Sequence, residues 1–183
     1  TSFVAIAMIG AREVEHPTVA KGISFLIETF RSDGSWAIDT HLATWVSTLS
    51  INALGQCQIY SPDYFGKEHS LVSKWVCDQQ YRVVHPFTNA APGGWSWTPL
   101  SGGVPDADDT PGAMLALRVF YREITDGANQ QPGLVDQALA GAKWLMDLQN
   151  RDGGIPTFCR GWGTLPFDRS NPDITAHAIR AWL

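Results

Sequence analysis

The sequence predicts an all-α protein built from repeated helical hairpins, and three observations carry that prediction. Turns recur at near-equal intervals: Asp33-Gly34-Ser35-Trp36, Pro92-Gly93-Gly94-Trp95 and Asp152-Gly153-Gly154-Ile155 are separated by 59 and 60 residues at their last positions. Amphipathic stretches flank every turn, Val19–Phe30, Leu71–Gln80 and Leu134–Gln149 before it and Leu42–Leu54, Pro111–Tyr121 and Ile174–Leu183 after it. Within one of them, Leu134, Val135, Ala138, Leu139, Ala142, Leu145 and Leu148 keep helical spacing, and strand-like alternation is nowhere sustained.

Each repeat therefore reads helix, Gly turn, helix. Hairpins that recur this way bury their apolar faces against neighbours, and either stack into an open solenoid or curl into a closed double ring, of which three make about half. The turns themselves identify no chemistry.

Bulk properties narrow the function. With 44% hydrophobic and 17% charged residues, the 183-residue chain reads as one globular domain over 1–183. A net charge of -5 without a Lys/Arg cluster leaves no electrostatic footprint for nucleic acid. Cys57, Cys77 and Cys159 are isolated, which fits free thiols in a reducing, cytoplasmic compartment. No apolar run reaches the ~20 residues that a membrane-spanning helix needs, and the opening residues lack a signal-peptide pattern. The chain starts without Met and stops inside a helix-like segment, so it reads as a piece of a longer protein.

The chemistry concentrates in Val104-Pro105-Asp106-Ala107-Asp108-Asp109-Thr110-Pro111, three carboxylates within four positions just before a predicted helix. Asp109 or Thr110 is the expected N-cap, with Pro111 in the first turn. No spaced loop of oxygen ligands with a distant Glu follows, which argues against a calcium or magnesium loop. Like charges this close cannot all ionise cheaply, so at least one carboxyl should be held protonated as a candidate general acid. Asp173 and His177, four apart, share a helix face and could hydrogen-bond each other and a third group.

Pro92-Gly93-Gly94-Trp95-Ser96-Trp97, followed after eight residues by Asp106-Ala107-Asp108-Asp109-Thr110, resembles the Gly-rich turn and DxDD-T motif of squalene-hopene cyclases, within the class II terpene cyclases. Lys143-Trp144-Leu145 to Gln149, with Asp152-Gly153-Gly154, is similar to the family's QW repeat, Ile155 replacing the final Trp. Asp173-Ile174-Thr175-Ala176-His177 resembles a D-x-T-A-H segment of the bacterial cyclases.

The resemblance implies a partial α/α toroid and proton-initiated cyclisation of a hydrophobic isoprenoid, with Asp108 as acid and no cofactor or catalytic metal. It implies that His177 hydrogen-bonds Asp108, that Asp173 holds His177, and that Asp106 and Asp109 support the donor. Trp97 and Phe158 match cavity aromatics, and Asp39 an acidic position of an Asp-Thr segment. For the full-length protein it implies peripheral membrane association and a homodimer. Protonating an isolated alkene demands a donor whose conjugate base is stabilised in a water-poor pocket. The cations that follow are stabilised by aromatic faces, by about 2 kcal/mol each when desolvated.

Several residues depart from the family's pattern: Ile38 stands at a Trp position, Pro111 follows Thr110, Phe158 lacks a Tyr hydroxyl, and Cys159-Arg160-Gly161-Trp162 lacks the acidic residues expected there. These departures point to a substrate or product other than squalene and hopene. Three rivals remain at this level. They are a zinc-dependent prenyltransferase-like toroid using Asp173, His177 and Cys159, a glycosidase-like toroid using Asp108 and Asp39, and a non-catalytic repeat scaffold.

Overall fold

The computed structural model describes residues 1–36, 41–57, 68–124, 133–159 and 168–183. Among them are seven α-helices: α1 Ser2–Gly10, α2 Pro17–Glu28, α3 Ala43–Gln56, α4 Glu68–Asp78, α5 Asp109–Ile124, α6 Leu134–Leu148 and α7 Pro172–Trp182. No strand occurs among the described residues, only isolated bridges linking Trp95 to Asp106, Asp106 to Phe158 and Ile155 to Asn171. The all-α prediction holds, and each of the six amphipathic stretches is a helix. The apolar opening adds α1, which carries no amphipathic period and buries only Ser2 and Ala5.

The helices pack in two rows. In one, α1 meets α3, α3 meets α5 and α5 meets α7; α2, α4 and α6 fill the other, each against the helices before and after it in sequence. The first row is enclosed on several sides, and its composition follows. Helix α3 buries Ala43, Thr44, Ser47, Thr48, Ser50, Ile51, Asn52, Ala53 and Leu54, mostly small residues that let neighbouring backbones come close. Helix α5 stands between two cores. Ala113, Ala116, Leu117 and Phe120 join the first with Ile51, Leu54, Val72 and Trp95, while Met114 joins the second with Trp144, Leu145, Ile155 and Ile174.

The three turns share one hydrogen-bonded construction. The N–H of Gly34, Gly93 or Gly153 donates to the carbonyl of Arg31, Tyr81 or Asn150, and the N–H of that residue donates back to Ser35, Gly94 or Gly154, all at 2.8–3.0 Å. The three glycines have φ of +92°, +122° and +88°, a left-handed conformation that side chains disfavour. Indole Nε1 of Trp36 and of Trp95 donates to the carbonyls of Leu26 and Val76 near the end of the preceding helix, at 2.6 and 2.8 Å. The side-chain amides of Gln80 and Gln149 donate to the carbonyls of Gly93 and Gly153, tying the end of each preceding helix to its turn.

Packing of α3 on α5 is closest at Gly55, where an added Cβ would lie 2.4 Å from Cγ2 of Val119. Val119 is branched at that point and cannot swing away. Gly55→Ala should therefore lower stability by about 1–3 kcal/mol through overpacking, and Val119→Ala in the same chain should recover part of that loss. Urea unfolding of the single and double variants checks both, and additive losses would refute the contact.

Candidate active site

The start of α5 gathers the acidic cluster. Asp106 Oδ1 accepts the backbone N–H of Asp108 at 2.9 Å and of Asp109 at 2.7 Å. The helix is thus capped by Asp106 rather than by Asp109 or Thr110. Asp106 wins because its own N–H is bonded to the Trp95 carbonyl at 2.9 Å, which turns its side chain toward the free amides of the first turn. Pro111 falls two residues inside the helix, where an N–H is still dispensable.

Burial divides the three carboxylates. Asp106 and Asp109 are only 2% and 3% exposed, whereas Asp108 is half-buried. Loss of solvent is the main reason both buried carboxyls are pushed up from 3.8, Asp106 to about 7 and Asp109 well above its ordinary value. For Asp106 the Asp109 and Asp108 amides and the Asp109 carboxyl oppose the rise by stabilising its anion; for Asp109 the charges of Asp106 and Asp108 add to it. A protonated Asp109 is within hydrogen-bonding reach of Asp106, while Oδ2 of Asp106 and Oδ1 of Asp109 have no partner among the described residues. The expected electrostatic frustration is present, and it falls on the two flanking acids.

His177 lies across from this cluster on α7. Burial lowers its pKa from 6.5 and Arg180 adds to that; the Asp108 charge, and the Asp108 carbonyl that accepts from the imidazole, act in the opposite sense. Asp108 thus acts on His177 through its charge and its backbone carbonyl. Gly112 lies between the two helices: a Cβ there would be in ordinary contact with His177 Nε2 at 3.8 Å and tight against Thr48 Oγ1 of α3 at 3.2 Å.

Asp173 stands apart from this contact. It is exposed in the first turn of α7, where an acid suits the helix dipole, and no described hydrogen bond joins it to His177. Sharing a helix face brought the two residues near, but the ring turns toward α5 and the carboxylate stays in solvent.

Trp97 and Phe158 meet edge to face with ring centroids 6.4 Å apart, both half-buried. The bridges of Asp106 to Trp95 on one side and to Phe158 on the other bring this pair to the acidic segment. Asp39 lies outside the described residues, as do Ile38 and 160–162. Asp173, His177 and Cys159 do not gather: among the described residues no three His, Cys, Asp or Glu side chains are grouped so that they could hold a metal ion.

The geometry also gives work to residues that carried no role in the sequence. Thr110 Oγ1 accepts the Trp95 N–H at 3.0 Å and donates to the Asp106 carbonyl at 2.7 Å. Asn52 of α3 donates to the Gly112 carbonyl at 3.1 Å across the helix interface. Thr110 belongs to the DxDD-T string, so its presence was legible and its partner was not; nothing in the sequence distinguishes Asn52.

No family model matches the chain. Three curated proteins are each 28% identical to it. They are the enfumafungin synthase of Hormonema carpetanum, over 151 residues, 80% of this chain and 10% of that one; a terpene cyclase-glycosyl transferase fusion protein of Humicola fuscoatra, over 181 residues, 91% and 12%; and the sporulenol synthase of Bacillus subtilis, over 92 residues, 50% and 11%. The chain resembles terpene cyclases. It spans about a tenth of the length of these relatives.

In this terpene-cyclase-like chain the buried acid pair has a measurable signature. A carboxyl whose folded pKa is raised binds its proton more tightly folded than unfolded. Its stabilising contribution is complete below the unfolded value near 3.8 and is lost as pH rises through the folded value, about 7 for Asp106. Asp109→Asn carries no such titration. Its stability relative to the parent, from urea unfolding at a series of pH values, should rise steadily from pH 4 to pH 8; a difference independent of pH would show that Asp109 is not held protonated.

Proposed function

We propose that this chain is the acid-bearing part of a class II terpene cyclase, an α/α-toroid enzyme in which Asp108 protonates the terminal alkene of a polyprenyl substrate. The observation that carries this reading is the division of the three carboxylates. Asp106 and Asp109 are sealed in protein, so Asp108 alone combines solvent-side access with a neighbouring imidazole. The similarity to terpene cyclases supports the reaction class.

In this mechanism the proton of the Asp108 carboxyl goes to the less substituted alkene carbon. The π pair forms the new C–H bond, and a tertiary cation and the Asp108 carboxylate remain. Each later ring closure consumes one alkene and moves the cation along the chain, until loss of a proton or capture of water ends the sequence. The residues around Asp108 serve the first step. His177 of α7 faces the first turn of α5 and interacts with the Asp108 charge, and the protonated neighbour Asp109 spares the new carboxylate a second adjacent negative charge. Trp97 and Phe158 offer ring faces and edges to the cation without a nucleophile to trap it. Tuning of His177 then falls to α5 contacts and burial rather than to Asp173.

The test uses the full-length protein and its Asp108→Asn variant, each incubated with squalene and with shorter polyprenes in detergent, with products read by mass spectrometry. Cyclised products from the parent should fall by at least about 100-fold in the variant, the range for removal of a general acid. Equal product from both, or none from the parent with any polyprene, would sink the reading.

A further inference from the structure

We propose that Thr110 is a positioning residue for the acid, holding Asp106, and through it Asp108, in register with the Trp97–Phe158 pair; this rests on the reading of Asp108 as proton donor. The Thr110 hydroxyl is fully buried. Through its two bonds, to the Trp95 N–H and the Asp106 carbonyl, it ties the segment that carries Trp97 to the segment that carries the three acids.

The bond from the turn N–H to a hydroxyl recurs through the repeats, which supplies an internal control. Ser47 Oγ accepts the Trp36 N–H at 2.8 Å, and Thr175 Oγ1 accepts the Ile155 N–H at 2.9 Å. The register between repeats is fixed by other shared bonds: the Trp97 carbonyl accepts the Thr44 N–H and the Thr157 carbonyl accepts the Ala107 N–H, while the bridge of Asp106 to Trp95 matches that of Asn171 to Ile155. The clamp by itself is therefore architectural.

What differs is the residue it secures. At the register of Asp106, Ala43 has no polar side chain, and Asn171 makes no side-chain bond to the start of α7. Only Asp106 is held by its carbonyl while its carboxylate holds the amides of the next two acids. One hydroxyl thus fixes the backbone of the residue whose carboxylate holds the Asp108 amide. Replacing it by a methyl leaves a buried N–H and a buried carbonyl without that partner, so the segment must relax. A displacement of the reacting group by ~1 Å is enough to cost about 100-fold in rate.

The test compares Thr110→Val, Thr110→Ser and Ser47→Ala in the full-length protein, with squalene in detergent as the probe. Thr110→Val should lower kcat by at least about tenfold, shift the pH–rate profile and leave KM within about twofold. Thr110→Ser should restore both kcat and profile. Ser47→Ala, which removes the corresponding bond to the turn N–H one repeat earlier, should leave the profile unchanged. If Thr110→Val does not fold, Thr110→Ala is read in its place. Equal losses for Thr110→Val and Ser47→Ala with no change of pH profile would overturn the proposal. A parent protein that yields no product counts against the cyclase reading alone. The positioning is then read from the pH dependence of urea unfolding, which Thr110→Val should alter between pH 4 and 8 and Ser47→Ala should not; no difference there refutes it.

Discussion

A backbone N–H that leaves a tight turn inside a protein must find an acceptor, and in this chain the same answer is used three times. The residue after each Gly turn gives its N–H to a hydroxyl in the first turns of the next first-row helix: Trp36 to Ser47, Trp95 to Thr110, Ile155 to Thr175. Turn and helix are thereby locked within a repeat. Locking between repeats comes from carbonyls two positions further on, Trp97 to the start of α3 and Thr157 to the segment before α5. Because a buried unpaired amide costs about 1–3 kcal/mol, these bonds leave each repeat little freedom to slide against the next. The acids at the head of α5 inherit their geometry from that lock.

The middle repeat turns this scaffold into an electrostatic device. A helix start ordinarily welcomes carboxylates, because its free amides and dipole stabilise negative charge. That benefit is spent on Asp106, whose Oδ1 takes two amides. Asp109 is left buried beside it without an amide of its own, so its neutral form is favoured. Asp108, between them in sequence, points to the accessible side because helical geometry sends adjacent side chains in different directions. Burial, more than the proximity of like charges, sorts the three residues into their roles.

The same reasoning explains why His177 behaves as it does. Its ring faces α5 beside Gly112 and is kept mainly neutral by burial, against the opposing charge and carbonyl of Asp108. Trp97 and Phe158 reach the site because both follow Gly turns whose exits bridge to Asp106. Trp97 and Phe158, 61 positions apart, meet since the repeat brings the exits of neighbouring turns together.

The sequence alone determined the helical hairpins, their period and the site of the acidic cluster, because helical spacing and positive-φ glycines are local properties that composition must express. The left-handed turns at Gly34, Gly93 and Gly153 were legible for that reason. It also marked Trp97, Phe158 and His177, by resemblance to a motif. Tertiary structure decided the rest. That Asp106 caps α5 instead of Asp109 or Thr110 follows from a bond to Trp95, eleven residues away; that His177 comes near Asp108 while Asp173 stays in solvent follows from how α7 packs on α5. Which carboxyls stay protonated depends on burial, and burial is set by every helix packed around α5, a quantity no local pattern contains.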